Sequence, residues 1–305
     1  MAAVTLAIIA STAVGVGAER RWGRRTHVAT GRLLDWMLYV VLPPVSFFII
    51  ARLEITAGVG AGLLFAYVIA FVVGGLAWVA GEHLLRLARP TTGALMSTAM
   101  QGNTGYLGLP LVATLLGTDQ LGPAIAFDAI VSSPIMYGAG FAIGATMGTR
   151  AGATAWQRVR SYFVRNPVLF ALLLAVLAPD WMAPDAAVEI SEAAAIALLP
   201  VGFFVLGVNL MHEREDGALD FPPRMTPELA IALALRLLVA PALMLGASML
   251  ILRVPDAYLL LAGMPTAINI MIAGHVYGLD LRLMAHAIAW GTAIVVAAAL
   301  LGTAL

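Results

Sequence analysis

Two short stretches of the sequence combine helix-breaking residues with neutral side chains that form hydrogen bonds. Gln101–Pro110 holds three glycines and a proline within ten residues, together with Asn103 and Thr104. Gly263–Asn269 holds Pro265 and ends on a second asparagine. Because glycine and proline weaken a helix severely, both stretches predict an interrupted helix.

Such interruptions have a specific chemistry. The ends of half-helices expose backbone N–H groups and a positive dipole end, which favour a bound anion. An amide side chain can also donate to a carboxylate while remaining uncharged. We therefore predict a substrate-binding site formed by Asn103, Thr104, Gly105, Pro110, Pro265 and Asn269. The alternative is that the two asparagines only satisfy the broken backbone.

Ionisable side chains within apolar stretches are a second group of candidates, since each costs about 2.5–3.5 kcal/mol at the centre of a bilayer. Asp128 could carry a proton or a cation, or form a structural hydrogen bond. Arg236 could neutralise an anion, or extend its charge toward the inner face. His275 and His286 could couple the site to protons, although such histidines are more often interfacial.

The elements that must position these residues are membrane helices. Of the 305 residues, 61% are apolar and 11% are charged, whereas soluble domains are about a quarter charged. Stretches of about 20 apolar residues, enough to cross the hydrocarbon core, recur along the whole chain. We predict an all-α, multi-pass protein of the cell membrane with ten transmembrane helices, at roughly 2–18, 33–50, 57–79, 91–117, 122–148, 166–183, 188–211, 227–252, 256–279 and 281–303.

Several other classes of protein lack their required features here. The stretch from Met1 to Ala18 has no basic leader or cleavage site, so we interpret it as a membrane helix and not as a signal peptide. There is no cysteine, no P-loop and no zinc-protease motif, so we expect no cofactor, no metal, no catalytic residue and no enzyme activity. A net charge of zero gives no reason to expect nucleic acid as a partner.

Arginine counts predict the orientation, because cytoplasmic loops collect basic residues. With the N-terminus outside, 14 of the 17 arginines fall in inside loops and only Arg52 and Arg253 fall in outside loops. One helix more or fewer would invert every later loop. Both termini are therefore predicted on the non-cytoplasmic side.

Two short matches at nearly the same offset indicate an internal repeat. Pro44–Phe48 resembles Pro200–Phe204, 156 residues later, and Gly108–Pro110 resembles Gly263–Pro265, 155 residues later. Five helices per copy is an odd number, so the second copy must be inverted, as in many secondary transporters. The predicted parts are a first repeat over 1–148, a cytoplasmic linker over 149–165 and a second repeat over 166–305.

The sequence resembles the auxin efflux carrier family, which groups plant auxin exporters with bacterial permeases for malate, malonate and related acids. The resemblance covers essentially the whole chain. It is carried by Leu42-Pro43-Pro44, Asn103-Thr104, Gly108-Leu109-Pro110, Asn166-Pro167, Arg236–Ala242 and Pro265–Gly278.

The resemblance implies ten helices with crossed, broken fourth and ninth helices. It implies a scaffold of helices one, two, six and seven that often forms a homodimer, and a transport part of helices three to five and eight to ten. It also implies that Asn103 contacts a bound carboxylate. Gly58–Ala77 lacks the charges that plant carriers have in the third helix, so a small organic anion is a better expectation than auxin.

The leading prediction is a secondary transporter that moves a small organic acid anion by alternating access, with proton coupling as one option. A sodium symporter of the bile acid type would share this architecture. Those carriers resemble one another in having an acidic sodium ligand in the ninth helix, whereas Tyr258–Gly278 has no Asp or Glu. A membrane receptor that does not transport and a membrane enzyme also remain open at this point.

Overall fold

The computed structural model describes residues 2–54, 56–150, 156, 160, 167–215 and 224–302. Within these residues the chain is helical throughout and forms no strand, apart from one isolated antiparallel bridge between Gly102 and Thr266. The prediction of an all-α protein is thus confirmed for the described part. Most of the predicted linker over 149–165, and Asn166, lie outside it.

The helices are α1 Ala2–Trp22, α2 Arg24–Ala51, α3 Ala57–Leu84, α4 Arg89–Met100, α5 Thr104–Leu115, α6 Thr118–Met147, α7 Pro167–Leu177, α8 Asp185–Ala197, α9 Leu199–Glu215, α10 Pro227–Leu250, α11 Asp256–Ala262, α12 Ile270–Tyr277 and α13 Leu281–Gly302. Six helices of the described part are long and apolar enough to cross a membrane: α2, α3, α6, the run of α8 into α9, α10 and α13. The protein is therefore a multi-pass membrane protein.

The two largest differences from the predicted helix bounds are in the second and sixth helices. The second helix begins at Arg24 and not near residue 33, because α1 and α2 are separated only by Gly23, whose φ of 50° allows a tight turn. Charged residues do not stop a helix, although they lower the hydropathy from which the bound was predicted. The sixth helix ends at Leu177, and a separate 3₁₀ turn follows at Asp180–Met182.

Helix ends elsewhere follow local rules. The side chains of Thr56 and Thr226 accept hydrogen bonds from backbone N–H groups three residues later, which caps α3 and α10. Gly278 is left-handed with φ of 70° and ends α12. These residues define the starts of α3 and α10 and the end of α12.

One group of helices is formed by α1, α2, α7, α8 and α9. Helix α1 packs along α9, while α2 packs against α7 and α8. A Cβ on Gly15 would overlap the carbonyl oxygen of Phe204, and a Cβ on Gly207 would overlap that of Thr12. The backbones of α1 and α9 therefore touch directly, the close approach that small residues permit between membrane helices.

The remaining helices pack around the interrupted segments. Helix α3 contacts α4 and α10, and α13 contacts α4 and α10 from another side. Val73, Tyr258 and Leu261 are fully buried in the larger apolar cluster. Leu95 and Ile270 are fully buried in a second cluster. These clusters hold the broken helices between continuous ones.

Candidate functional site

The two predicted interruptions are present and lie against each other. The first separates α4 from α5, and the second separates α11 from α12. Asn103 N–H donates to the carbonyl of Pro265 at 2.7 Å, and Ala267 N–H donates to the carbonyl of Gln101 at 3.0 Å. Backbone groups freed by each break are thus satisfied by the other, as they must be where no water is available.

Arg236 braces the second break from α10. Its Nε donates to the carbonyl of Met264 at 2.9 Å, and its Nη2 donates to the carbonyl of Ala262 at 2.6 Å. The side chain is only 6% exposed, so it does not extend toward the aqueous surface. A Cβ on Gly102 would lie 2.9 Å from Nη2, which explains why the first break carries a glycine opposite this guanidinium.

Asp128 is held beside the first break by hydroxyl groups. Thr104 Oγ1 donates to Asp128 Oδ1 at 2.5 Å and lies 2.8 Å from the hydroxyl of Ser132. Gly105 lies beside this carboxylate, since a Cβ there would be in van der Waals contact with Oδ1 at 3.4 Å. Asp128 therefore lies at the level of the break and not at the outer surface.

Thr104, Asp128 and Arg236 share one backbone feature. Each lies in a π-helical turn, at Thr104–Gly108, Asp128–Ser132 and Leu235–Val239. Such turns insert an extra residue into a helix and occur frequently at functional sites. They rotate these side chains toward one region between the helices.

That region is a cavity of about 790 Å³. Its volume lies within the range of ligand-binding cavities, about 300–1,000 Å³. Seven of the predicted site residues line it: Asn103, Thr104, Gly105, Pro110, Asn269, Asp128 and Arg236. The wall also has many apolar side chains, among them Ala66, Ile69, Met100, Phe127, Ile268 and Met244.

The two asparagines have different environments. Asn103 is 3% exposed, and its backbone N–H is already used in the bond to Pro265. Asn269 is half-buried and lines the cavity together with Tyr106. Both residues line the cavity in addition to any structural role.

Pro265 and His275 are placed outside the cavity lining. Pro265 contributes its carbonyl oxygen to the brace between the breaks. His275 is exposed near the end of α12, where its carbonyl accepts from Arg150 Nη1 at 3.0 Å. His286 is 4% exposed on α13 and also lies outside the lining. The geometry therefore groups Asp128 and Arg236 with the cavity and separates both histidines from it.

Gln101, Tyr106 and Ser132 line the cavity, but the sequence did not single them out as site residues. Gln101 is 5% exposed, and neither polar atom of its side chain has a hydrogen-bond partner among the described residues. A Cβ on Gly140 would overlap its amide. Gln101 could have been predicted as a lining residue from its position at the start of the first break. Nothing in the sequence indicates that Ser132 is a neighbour of Thr104.

Comparison with known proteins identifies the chain independently of this geometry. The profile of a family described as membrane transport protein matches residues 5–151 and 161–301. An uncharacterized transporter from Methanocaldococcus jannaschii is 26% identical over 266 residues, which cover 83% of this chain and 82% of the relative.

The matched ranges include both breaks, the cavity residues on α6 and α10, and the motifs on which the resemblance to auxin efflux carriers was based. The resemblance is thus confirmed over nearly the whole chain. The chain belongs to the membrane transport protein family, in which the auxin efflux carriers are grouped.

Proposed function

We propose that this protein is a secondary transporter that moves a small organic acid anion across the cell membrane by alternating access. The observation that carries the proposal is the pair of mutually braced helix breaks, which wall a cavity lined by Asn103, Asn269 and Arg236. Membership in a transport family supports a carrier over a receptor or an enzyme.

The lining favours an organic anion over an inorganic one. Arg236 supplies a fixed positive charge, and the amides of Asn103, Asn269 and Gln101 supply neutral donors. The surrounding wall is largely apolar, so a solute with both a carboxylate and a hydrocarbon part fits its chemistry. Malate-like and malonate-like acids belong to this class.

Asp128 gives the proposal a coupling mechanism. An anion in this cavity shares it with the Asp128 carboxyl group, and two negative charges close together repel each other. Anion binding is therefore favoured when Asp128 is protonated, and release of one favours release of the other. We propose proton symport on this basis.

Sodium coupling is the second candidate for the driving ion. Sodium symporters of the bile acid type place an acidic sodium ligand in the ninth helix, whereas Tyr258–Gly278 has no Asp or Glu. The absence of this ligand supports protons over sodium.

The packing supports two inverted five-helix repeats, over 1–148 and 166–305, and a division into scaffold and transport parts. In an inverted repeat, the contact of the first and seventh helices has its counterpart in the contact of the sixth and second. Both contacts are present, as α1 with α9 and as α7 with α2. The scaffold would comprise α1, α2, α7, α8 and α9, and a homodimer through these helices stays a prediction.

Contacts between loops support the proposed topology. Arg52 bonds Asp185 at 2.8 Å, and both lie in loops predicted outside. Thr91 bonds Asp280 at 2.9 Å, and both lie at the side predicted inside. Such pairs are expected if the loops alternate between the two sides as the arginine counts predict.

The exposed part of the cavity lining lies on the side predicted to be cytoplasmic. Gly31 and Asp35 are exposed lining residues in the half of α2 that begins with Arg24 and Arg25, and Tyr39, also exposed, lies at the middle of the helix. We therefore propose that the described state is open to the cytoplasm.

Transport into proteoliposomes tests the proposed function. Labelled malate, malonate and other small dicarboxylates would be offered under a pH gradient, a sodium gradient or neither. We expect at least one acid to accumulate when the outside is acidic, because protons entering with the anion then drive uptake. If no acid moves under any gradient while the protein remains folded, the carrier proposal is wrong. Accumulation under the sodium gradient alone would show that the coupling ion is sodium and not the proton.

A further inference from the structure

The ends of α1, α2 and α9 hold a cluster of metal-ligating side chains away from the cavity. Glu19, His27 and His212 each place one ligand atom within 4.8 Å of the others. His212 Nδ1 lies 3.1 Å from Glu19 Oε1, and the rings of His27 and His212 stack with centroids 3.8 Å apart. None of the three residues lines the transport cavity.

The local fold explains why these residues meet. The chain turns at Gly23, and the Thr26 hydroxyl donates to the carbonyl of Ala18 at 3.0 Å, which folds His27 back beside Glu19. His212 arrives through the close contact of α1 with α9. A Cβ on Gly15 would lie 3.1 Å from the backbone nitrogen of Val208, and Glu19 and His212 each follow four residues later on the same helix face.

Glu19 is the unusual member of the cluster. It is fully buried, and its Oε2 has no hydrogen-bond partner among the described residues. A buried carboxylate requires a compensating charge or several donors. Its Oε1 lies 3.1 Å from His212 Nδ1, and a cation bound at Oε2 would supply the compensating charge.

We propose that Glu19, His27 and His212 bind a divalent transition metal ion, with Zn²⁺ as the representative. Two imidazole nitrogens and one carboxylate oxygen are ligands that such ions favour over Mg²⁺ or Ca²⁺. Ligands about 2.0–2.1 Å from a tetrahedral ion lie about 3.4 Å apart, so binding draws the three atoms together by side-chain rotation. Water would supply the fourth ligand.

The bound ion joins three helices of the proposed scaffold at one end. Its ligands come from α1, α2 and α9, which are otherwise held there by the turn at Gly23 and by helix packing. The ion therefore stabilises the scaffold without entering the transport cavity. The sequence predicted no metal site because His27 and His212 are 185 residues apart and no short motif contains them.

Zinc binding to the full-length protein in detergent tests this inference. The protein would be stripped with EDTA, desalted and titrated with ZnCl₂, and bound zinc would be measured by mass spectrometry. We expect one Zn²⁺ per chain and a higher thermal unfolding midpoint, read from tryptophan fluorescence. MgCl₂ should have neither effect. Failure of the stripped protein to bind Zn²⁺ would overturn the inference.

Matched substitutions locate the ion. Glu19→Gln and His212→Asn should each lower zinc affinity by more than about 100-fold, since loss of a direct ligand exceeds the 10- to 100-fold effect of supporting residues. His83→Asn is the control, because His83 is exposed on α3 and is not a member of the cluster. Unchanged affinity in Glu19→Gln, or equal loss in His83→Asn, would contradict the assignment.

A measurement on the unaltered protein covers the case in which the variants do not fold. Diethylpyrocarbonate modifies accessible histidines, and peptide mass spectrometry reports each site separately. Zn²⁺ should protect His27 and His212 and leave His83 reactive. Equal modification of all three with and without Zn²⁺ would overturn the inference, and neither result depends on whether the protein transports an organic acid.

Discussion

Asn103 takes part both in the bonding between the two breaks and in the lining of the cavity. Its backbone N–H bonds Pro265, so the connection between the two breaks does not require the side chain. The residue also lines the cavity that Arg236 lines from α10. Structural and binding roles can therefore be separated by a substitution that leaves the backbone in place.

Asn103→Ala should weaken binding of the organic anion while leaving the fold intact. A hydrogen bond to a charged group contributes about 1.5–3 kcal/mol, so we expect a loss of affinity on the order of 10- to 100-fold. Substrate-dependent shifts in thermal unfolding, or the half-saturating concentration for uptake, would measure it. Asn209→Ala is the matched control, since Asn209 is outside the cavity lining. Unchanged affinity in Asn103→Ala would remove this residue from the site.

Asp128→Asn should separate anion movement from the proton gradient. An asparagine retains an oxygen that can accept from Thr104 Oγ1, but it cannot take up and release a proton. With acidic medium outside the proteoliposomes, the unaltered protein should accumulate the labelled acid inside. The variant should only let the acid equilibrate across the membrane.

Asp35→Asn is the control for this test, because Asp35 is exposed at the edge of the same cavity. It should retain accumulation. Accumulation by Asp128→Asn at the normal level would show that another group carries the proton.

At the scale of helices, the glycine and proline content of Gln101–Pro110 and Gly263–Asn269 predicted where the chain would break. It could not predict that the breaks bond to each other, because that pairing joins residues more than 160 positions apart. The same limit explains why the sequence did not mark Ser132 as a lining residue and did not reveal the bond made by the Pro265 carbonyl. Proline marks the break, but its carbonyl oxygen holds the brace and the residue lies outside the cavity lining.

Gly202 lies where the proposed scaffold meets the first break. It is the counterpart of Ser46 in the sequence repeat, and both line the cavity. A Cβ on Gly202 would lie 2.7 Å from the backbone carbonyl of Tyr106. A main-chain carbonyl cannot rotate away as a side chain can, so we expect a larger residue at position 202 to obstruct the movement that the proposed alternating access requires here.

Gly202→Ala should therefore slow transport and destabilise the protein by about 1–3 kcal/mol, the usual cost of overpacking. Uptake rate and the thermal unfolding midpoint would be measured together. Gly246→Ala is the control, because a Cβ there meets no atom within 4 Å. If Gly202→Ala transports at the normal rate, the two surfaces do not move past each other at this point.

For the whole molecule, the absence of cysteine makes the proposed orientation directly testable. Single cysteines in place of Arg253 and Arg282, both exposed, fall in loops predicted outside and inside respectively. A membrane-impermeant maleimide added to intact cells should label the first variant and label the second only after the membrane is opened. The reverse pattern would invert the proposed topology, and labelling of both in intact cells would contradict the helix count.

The bonds between the two breaks use main-chain atoms, namely the N–H of residue 103 with the carbonyl of residue 265, and the N–H of residue 267 with the carbonyl of residue 101. Any amino acid other than proline at 103 or 267 can form the same bonds. Side chains that line the cavity can therefore be exchanged by evolution or by an engineer while the crossing point keeps its shape. Under the proposed function, specificity can thus change from one organic acid to another while the main-chain bonds between the two breaks stay the same.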